Sequence, residues 1–416
     1  MSRGLLSEHF EGVCAKKLSA VEADSGRSNQ HEFNGTNALK KLLTEKEPLT
    51  FAARFLYLDD EIEPLEAIDD LTWYDARRAH PTRSEYRLYY PSNAVSEAAT
   101  EGDTLILARQ RDGQMLCLVA KDGSTIERQL IWLFALPDNM GKQFCFEELI
   151  ETERSDFATR FILDELGIEI EAEQNDLDLI LARFGMRFPK TREFSSFARE
   201  NAPKLGDFDN VDQALIAWMD REESLFRQLE KHIVAERLRK GFVDGNNVDV
   251  DGFVAFSLSV QNRRKARVGY AFENHLEQIF IDLKIPYSRG AITERREKPD
   301  FIFPSIEQYR RPEFPNEKLF MLGVKSTCKD RWRQVLTEAE RIEEKHLITL
   351  EPGISEHQTH QMQAANLQLV VPTSIQQSYL PLQRDWLFSV SDFLSLLSSS
   401  DGEGISHGKN KTLKLL

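Results

Sequence analysis

A carboxylate and a lysine mark the ends of two short apolar runs in the second half of the chain. Asp300 follows Pro299 at the start of the run 300–303, and Lys325 closes the run 319–325. If these runs are neighbouring strands, both side chains lie at one edge of a sheet. The carboxylate could then hold a divalent metal that activates water, while the lysine stabilises charge developing on a phosphodiester. Alone the pair is a weak signal, because a capping residue and a surface lysine give the same pattern.

A second acid is expected beside this pair. In the PD-(D/E)XK nucleases, whose chemistry the pattern resembles, the residue two positions before the lysine is acidic, but here it is Gly323. A helix predicted over residues 331–345 offers a replacement, because Arg331, Gln334 and Glu338 have the spacing i, i+3, i+7 and share one face. A carboxylate from that face could complete the site.

A third acid is available on an amphipathic helix predicted over residues 270–283. Glu273 and Glu277 lie one turn apart beside its apolar stripe. Glu273 could supply a further oxygen ligand or hold a metal-bound water, and Glu277 is the alternative. Mg²⁺ accepts few protein carboxylates and keeps several waters, which suits two or three acids at one site. We therefore expect Mg²⁺ as the cofactor, with Asp300 and Glu338 as its ligands.

Charge is distributed unevenly along the chain. The net charge of −15 argues at first sight against nucleic acid as a partner, because phosphate binding requires Lys and Arg. Residues 1–200 carry 24 basic and 37 acidic side chains, whereas residues 201–416 carry 29 and 31. Two basic clusters in the second half could face a phosphate backbone or be solvated surface: Arg263, Arg264, Lys265 and Arg267, and Lys325, Lys329, Arg331 and Arg333.

Length and composition bound the class of protein. The chain has 416 residues, 41% of them hydrophobic, which is typical of a two-domain globular protein. No apolar stretch approaches the roughly 20 residues of a membrane span, and residues 1–29 lack a secretory signal, so we expect a cytoplasmic protein without membrane contact. Its four cysteines are far apart, which argues against a zinc site or a disulfide framework.

The two halves of the chain differ in predicted structure. Residues 56–133 contain short strands and turn signals, with a clear hairpin joining 104–108 to 115–119, so we expect a β-barrel or sandwich domain. An acidic, polar stretch suggests a linker at 173–182. The second half alternates helices with short strands at 300–303, 319–325, 346–350 and 367–371, which is typical of an α/β domain, and the last pairs should be parallel.

Several segments of the second half resemble the catalytic domain of the EcoRII-type restriction endonucleases. The resemblance extends over roughly residues 183–400. Its most specific part is a continuous fourteen-residue segment that contains Lys325. The matching segments are Asn-Arg-Arg-Lys-Ala-Arg at 262–267, Ala-Ile-Thr-Glu at 291–294, Lys-Pro-Asp-Phe-Ile-Phe-Pro-Ser at 298–305, Glu-Phe-Pro at 313–315 and Met-Leu-Gly-Val-Lys-Ser-Thr-Cys-Lys-Asp-Arg-Trp-Arg-Gln at 321–334.

This resemblance implies a four-residue catalytic site. A helix glutamate, the Pro-Asp aspartate, the strand lysine and a displaced glutamate correspond here to Glu273, Asp300, Lys325 and Glu338. It also implies a mixed sheet flanked by helices, a symmetric homodimer on double-stranded DNA, and a companion cytosine DNA methyltransferase that protects the host.

We expect the segment after Lys325 to recognise the DNA bases of the target site. Lys329 and Arg331 could contact guanine, and Asp330 could accept from cytosine, with Arg333 and the cluster Arg263, Arg264 and Lys265 as further DNA contacts. The alternative for this triplet is an ordinary helix start with Asp330 as its cap. Relatives recognise sites flanked by CC and GG, so we expect a palindrome of that form.

The first half resembles, more faintly, the effector domain of the same enzymes, a pseudobarrel similar to the B-three DNA-binding domains of plants. Arg83, Glu85 and Arg87 alternate on one face of a predicted strand and could contact a second DNA copy. The alternative is a polar outer face. The predicted organisation is thus α+β with two domains, an effector domain at 1–172 and a catalytic domain at 183–400, followed by a tail at 401–416.

These features predict a sequence-specific, Mg²⁺-dependent DNA endonuclease of type IIE. Two alternatives stay open: a DNA-binding regulator that has this fold but does not cleave, and a nuclease whose first domain senses modified DNA. Loss of Lys325 or Asp300 would be expected in a regulator, because neither is needed for folding. Both are present.

Overall fold

The computed structural model describes residues 5–23, 31–43, 49–80, 82–149, 157–168, 176–244 and 247–399. They divide into two compact units. The first comprises Met1–Ile168 with the short segments Pro352–Thr359 and Ser378–Leu380, and the second comprises Glu169–Glu351, His360–Gln377 and Pro381–Leu416. No helix within the described ranges is long and apolar enough to cross a bilayer.

The first unit is built on one eight-stranded sheet. Its strands are β1 Phe10–Lys17, β2 Glu32–Asn34, β3 Leu49–Leu58, β4 Leu65–Asp75, β5 Tyr86–Tyr89, β6 Thr104–Gln110, β7 Met115–Ala120 and β8 Cys145–Glu148. They are ordered β2-β5-β4-β3-β7-β6-β1-β8, and every neighbouring pair is antiparallel except β3 and β7. The helices of this part are α1 Leu5–His9, α2 Ala20–Ala23, α3 Asn37–Leu43, α4 Ala94–Ala98, α5 Thr125–Leu133 and α6 Phe157–Glu165.

The predicted hairpin is confirmed as β6 and β7. Gly113, with φ +88°, occupies a backbone conformation that L-residues rarely adopt and closes the turn, and its N–H donates to the Gln110 carbonyl at 3.0 Å. The sheet encloses an apolar core that includes Trp73, and the rings of Phe33 on β2 and Phe144 before β8 lie 5.6 Å apart. The two edge strands therefore approach each other, and the sheet is strongly curled.

The second unit contains a mixed five-stranded sheet. Its strands are β11 Ser288–Arg289, β12 Phe301–Phe303, β13 Phe320–Lys325, β14 Lys345–Thr349 and β15 Leu367–Val370, in that spatial order. The strands β11, β12 and β13 are antiparallel, and β13, β14 and β15 are parallel. The four predicted strands and the parallel arrangement of the last pairs are confirmed. Short apolar runs bounded by charged and turn residues were sufficient to locate them.

Helices accompany this sheet. They are α7 Leu177–Phe184, α8 Thr191–Glu200, α9 Val211–Lys240, α10 Val250–Asp282, α11 Ile306–Tyr309, α12 Trp332–Val335, α13 Glu356–Ala364, α14 Thr373–Gln376, α15 Pro381–Arg384 and α16 Val390–Ser399. A two-stranded ribbon, β9 Val243–Asp244 and β10 Asn247–Val248, joins α9 to α10. The helix predicted at 270–283 is the carboxyl-terminal part of α10. Residues 177–182 of the predicted linker belong to α7, where Ile180 is buried in a phenylalanine-rich cluster, while 173–175 lie outside the described residues.

The helix predicted over residues 331–345 is wrong. A single 3-10 turn, Lys329–Arg331, and the four-residue α12 are followed by turns up to β14. Ala339 has φ +48°, which an α-helix does not allow. The buried ammonium of Lys345 donates to the carbonyl of Ala339 at 2.8 Å, so tertiary contacts hold these turns against the helical propensity of the segment. Glu338 consequently lies on a turn and not on a helix face.

Candidate active site

The edge shared by β12 and β13 brings two of the predicted residues together. Asp300 immediately precedes β12, and Lys325 is the last residue of β13. Lys325 Nζ donates to Asp300 Oδ2 at 3.2 Å, and the backbone N–H of Val324 donates to the same oxygen at 2.7 Å. Both side chains are largely shielded from solvent but reachable, with 13% and 19% of the lysine and aspartate side chains exposed. The antiparallel register thus fixes the pair at one edge.

Glu338 joins this pair from the turns after α12. It is buried, and burial raises its pKa to about 7, with Asp300 adding to the rise and Lys325 opposing it. Its Oε2 atom is buried and accepts no hydrogen bond from the described residues. An unsatisfied carboxylate oxygen at this depth is costly unless a cation or a proton meets it. The donor set is two hard oxygen ligands beside a lysine, which fits a divalent metal such as Mg²⁺.

Glu273 lies within electrostatic range of the same pair, on α10. Burial raises its pKa, and Asp300 adds to the rise, while the hydrogen bond from Arg289 and the charge of Lys325 lower it. Arg289 Nη2 donates to Glu273 Oε2 at 2.8 Å. The structure therefore brings together the four predicted catalytic residues. Within the described residues they do not form a compact cluster of three or more metal-ligand side chains.

Glu277 has a different environment from Glu273. It accepts hydrogen bonds from Arg289 Nη1 at 2.7 Å, from the Tyr287 hydroxyl at 3.1 Å and from Arg192. These three donors occupy both carboxylate oxygens. Glu277 is thus a structural partner of Arg289, and Glu273 is the better placed of the two alternatives.

Gly323 occupies the strand position that is acidic in the usual pattern, and packing excludes a side chain there. A Cβ atom at this residue would lie 2.9 and 3.0 Å from the two methyl carbons of Val335. Such contacts are closer than side-chain carbons tolerate. Because Val335 ends α12, the same short helix fills the space of the usual acid and leads the chain to Glu338.

Comparison with known proteins identifies the family. The family described as EcoRII C terminal matches residues 226–394. The type II restriction enzyme EcoRII of Escherichia coli is 32% identical over 336 residues, which cover 78% of this chain and 78% of that enzyme. The chain belongs to the EcoRII family. It is therefore a type II restriction endonuclease.

Solved structures with similar chains include two restriction endonucleases bound to DNA. Metal-depleted Ecl18kI in complex with uncleaved, modified DNA is 20% identical and covers 56% of this chain and 86% of its own, with a TM-score of 0.44. The complex of restriction endonuclease PspGI with substrate DNA is 15% identical and covers 56% of this chain and 98% of its own, with a TM-score of 0.41.

Residues 329–333, which follow Lys325, were predicted to read bases. In this EcoRII-family chain their basic side chains are exposed, and buried contacts hold the backbone of the segment. Lys329, Arg331 and Arg333 are exposed, and Lys329 has φ +33°. Glu351, which is buried, accepts the N–H of Cys328 and fixes the start of the turn. The Arg333 guanidinium lies over the Trp332 ring at 4.8 Å and donates to Gln361 at 3.0 Å. The side chain of Asp330 lies outside the described residues.

Most basic side chains of the cluster on α10 make contacts with other residues of the second unit. The guanidinium of Arg264 is paired with the buried Glu230, and that of Arg263 lies 4.0 Å from the centre of the Phe188 ring. Arg267 is buried and lies 3.4 Å from Glu222. Lys265 is exposed. Most of this predicted phosphate-binding cluster therefore also stabilises helix packing.

The three residues predicted to alternate on one strand of the first unit do not do so. The strand begins at Tyr86, so Arg83 and Glu85 precede it and Arg87 lies within it. Arg87 pairs with Glu85 at 2.6 Å and with Glu32 at 2.7 Å, and the hydrogen bond from Arg87 lowers the pKa of Glu85. The polar pattern was insufficient because it did not reveal where the turn after β4 ends.

Three cations that hold side chains, loops and turns of the second unit were missed from the sequence. Arg289 bridges Glu273 and Glu277. Arg341 donates to the carbonyls of Arg311 and Phe314, each at 2.9 Å, and Lys345 holds the turn after Glu338. Single cations beside strands and turns carry no local signal, and only the fold shows which carbonyls they meet.

Proposed function

We propose that this restriction endonuclease is Mg²⁺-dependent and cleaves both strands of a palindromic site flanked by CC and GG. The observation that supports a metal most directly is the buried Glu338 Oε2, which lacks a donor among the described residues and lies near Asp300 and Lys325. Asp300 and Glu338 would hold the metal. When bound, Mg²⁺ would polarise the scissile phosphodiester and lower the pKa of a water ligand.

The protein side chains have separate tasks in this proposal. Lys325 places its ammonium next to the phosphoryl oxygens and stabilises the negative charge that accumulates there. Asp300 orients that ammonium through the 3.2 Å contact, while the Val324 N–H fixes the aspartate. Glu273, held by Arg289, assists from the side of α10.

The proposed DNA contacts also have separate tasks, reading bases and binding phosphates. Lys329, Asp330 and Arg331 would read C:G pairs in the major groove, and Arg333 with the exposed part of the 263–265 cluster would contact phosphates. A palindromic site implies two nuclease domains related by a two-fold axis, and hence a homodimer. A cytosine methyltransferase in the same cell would protect the host sites.

The first unit is proposed to bind a second DNA copy as an effector. Its curled eight-stranded sheet is compatible with the pseudobarrel of B-three-like domains. The guanidinium of Arg87 is paired with Glu32, so we take the exposed Arg83 as the candidate DNA contact. We keep as part of this proposal an effector domain at residues 1–172, a catalytic domain at 183–400 and a tail at 401–416. Binding of methylated and unmethylated duplexes to the first domain would distinguish an effector site from a sensor of modified DNA.

The test of the nuclease proposal is digestion of a plasmid that carries several CC/GG-flanked sites, with Mg²⁺ present or chelated, followed by sequencing of the ends. Discrete, Mg²⁺-dependent cuts are expected. Asp300→Ala should abolish cleavage and keep DNA binding, whereas Asp385→Ala, an exposed aspartate of the same unit, should cut at the wild-type rate. Cleavage by Asp300→Ala would show that the site is wrong.

A second pair of variants tests the choice between the two glutamates on α10. Glu273→Gln should lower the cleavage rate by at least about tenfold, because its charge lies near Asp300 and Lys325. Glu277→Gln should chiefly lower the free energy of unfolding, since it weakens contacts with Arg192, Tyr287 and Arg289. The opposite pattern would assign the catalytic role to Glu277.

A further inference from the structure

The buried carboxylate of Glu351 lies next to the end of β13 but has no task in the proposed metal site. The strands β13 and β14 are parallel, with Lys325 aligned to Thr349, so the residues that follow the two strands emerge side by side. Glu351 follows β14 and is only 2% exposed. A buried charge is costly unless hydrogen-bond donors or cations compensate it, so its partners indicate what it does.

The carboxyl end of β14 holds the backbone that leaves β13. Glu351 Oε2 accepts the backbone N–H of Cys328, which is itself fully buried. The Thr349 hydroxyl donates to the Ser326 carbonyl at 3.4 Å and accepts the Glu351 N–H at 3.1 Å. Two side chains at the end of one strand therefore fix the first residues after the neighbouring strand.

These contacts continue into the turn Lys329–Arg331, which is proposed to read bases. The Cys328 carbonyl accepts the Arg331 N–H at 2.7 Å and closes this 3-10 turn. Lys329 has φ +33°, a backbone conformation that a residue with a side chain adopts only where surrounding contacts impose it. Cys328 thus connects the turn, through its carbonyl, with Glu351, through its N–H.

Base recognition depends on a fixed backbone more than phosphate binding does. A bidentate contact with guanine requires two donors to meet O6 and N7 together, and hydrogen bonds weaken steeply as their angles close. A cation that meets a phosphate carries no sequence information. The hydrogen bond to Glu351 is charge-assisted and buried, which makes it stronger than one between neutral groups. Its loss should therefore reduce discrimination between sequences while general DNA affinity persists.

We propose that Glu351 is a positioning residue for sequence recognition. By holding the Cys328 N–H, its carboxylate orients the turn Lys329–Arg331 on the edge that carries Lys325. The inference rests on the proposed function, which assigns base reading to that turn. Discrimination between DNA sites depends on Glu351, whereas non-specific binding does not.

The first experiment measures DNA binding of the full-length protein by fluorescence anisotropy, with Ca²⁺ in place of Mg²⁺, a cognate duplex and duplexes in which one C:G pair is replaced. Glu351→Ala should lower the ratio of cognate to substituted affinity at least about tenfold, because the basic side chains of the turn lose their fixed directions. Its affinity for non-specific DNA should stay within about twofold of the wild type. Glu317→Ala, at an exposed glutamate before β13, is the control and should keep both values. Wild-type discrimination by a folded Glu351→Ala protein overturns the proposal.

Two milder variants of the same residue keep the test valid if Glu351→Ala does not fold, which urea denaturation shows. Glu351→Gln retains an oxygen acceptor for the Cys328 N–H and should keep the ratio within about threefold of the wild type. Glu351→Asp keeps the charge, but its carboxylate is one methylene shorter and withdraws from the N–H, so the ratio should fall at least about fivefold. A wild-type ratio for Glu351→Asp, or a larger loss for Glu351→Gln than for Glu351→Asp, overturns the proposal.

A double-mutant cycle tests whether Glu351 acts through Arg331. The base pair used is the one at which Arg331→Ala loses discrimination. Adding Glu351→Ala to Arg331→Ala should lower the ratio there by no more than about twofold, because no guanidinium remains to be oriented. If the two single losses multiply in the double variant, the residues act independently and the proposal is overturned.

Alanine variants of the turn separate failure of this inference from failure of the proposed function. If Lys329→Ala, Asp330→Ala and Arg331→Ala all keep wild-type discrimination, the turn does not read bases, and the proposed base contacts and the inference fail together. If at least one of them loses discrimination while Glu351→Ala keeps it, the turn reads bases without Glu351. The inference alone then fails.

Discussion

Lys345 shows how a buried cation can hold in place a carboxylate of the proposed site without touching it. Its ammonium donates to the carbonyls of Ala339, the residue after Glu338, and of Ile342 in the same turn segment. Removal of the ammonium leaves these acceptors without their donor and frees the turn. Outer groups that orient ligands typically affect metal affinity by about 10–100-fold.

Lys345→Met should therefore raise the Mg²⁺ concentration for half-maximal cleavage at least about tenfold, while saturating Mg²⁺ restores most of the rate. The measurement is a Mg²⁺ titration of cleavage. Lys318→Met, at an exposed lysine before β13, is the matched control and should behave like the wild type. An unchanged titration for Lys345→Met would show that the turn holds Glu338 without it.

Among the elements, α12 and β13 are coupled by the contact between Gly323 and Val335. Gly323→Ala should lower the free energy of unfolding by about 1–3 kcal/mol, because its new methyl group overlaps the Val335 side chain. Urea denaturation of Gly323→Ala, Val335→Ala and the double variant should give a favourable coupling of about 1 kcal/mol. Purely additive effects would contradict the clash.

Gly269, inside α10, is the matched control for this substitution. Apart from the backbone of α10 itself, no atom of the described residues lies within 4 Å of the position that a Cβ atom would occupy. Gly269→Ala should thus raise the free energy of unfolding by about 0.5–1 kcal/mol through helix propensity. The two glycine-to-alanine substitutions should have opposite signs.

His346 makes the stability of β14 depend on pH. Burial lowers its pKa from 6.5 to about 4, and neither ring nitrogen has a hydrogen-bond partner in the described part of the chain. Above pH 6.5 the ring is neutral in both states and contributes no pH dependence. Below it only the unfolded chain takes up the proton, so by pH 5 this residue should cost about 2 kcal/mol of stability.

Chemical denaturation between pH 7.5 and pH 5 would measure this loss. His346→Leu should remove about 2 kcal/mol of the pH-dependent destabilisation, and the variant should be at least as stable as the wild type at neutral pH, because no hydrogen bond of the ring is lost. A pH profile parallel to that of the wild type would mean that the ring protonates in the folded state.

Strands and turns differed in how far sequence patterns could predict them. The runs that form β12 to β15 are short, apolar and bounded by turn residues, so periodicity located them and placed Asp300 and Lys325 at one edge. The turns around Glu338 depend on Ala339 at φ +48° and on Lys345, which are tertiary effects. Glu338 was predicted from a helix face that does not exist, although the structure places it beside Asp300 and Lys325 by a different route.

For the whole molecule, the net charge of −15 limits how DNA can be bound. Contacts must come from local basic surfaces such as the exposed Arg331. If Arg331 reads guanine, Arg331→Ala should reduce discrimination at one base pair by about 1–3 kcal/mol and leave the salt dependence of binding unchanged. If it contacts phosphate, the slope of log K against log salt should fall by about 0.9 with specificity intact.

Fluorescence anisotropy at several salt concentrations, with cognate and single-substituted duplexes and Ca²⁺ in place of Mg²⁺, separates these outcomes. Arg384→Ala, at an exposed arginine of α15, serves as the comparison. A variant of Arg331 with neither effect would place the base-reading surface elsewhere.

The tight fit of Val335 against Gly323 also constrains how such enzymes can evolve. A mutation that restores an acid at position 323 collides with Val335, while a mutation that shrinks Val335 first leaves a void beside the strand. Neither single mutation preserves a well-packed site. A change between an acid at position 323 and an acid at position 338 therefore passes through a less stable intermediate. If Glu338 supplies the acid that the strand lacks, glycine at 323, valine at 335 and glutamate at 338 should occur together in related enzymes, and an acid at 323 should occur with a smaller residue at 335.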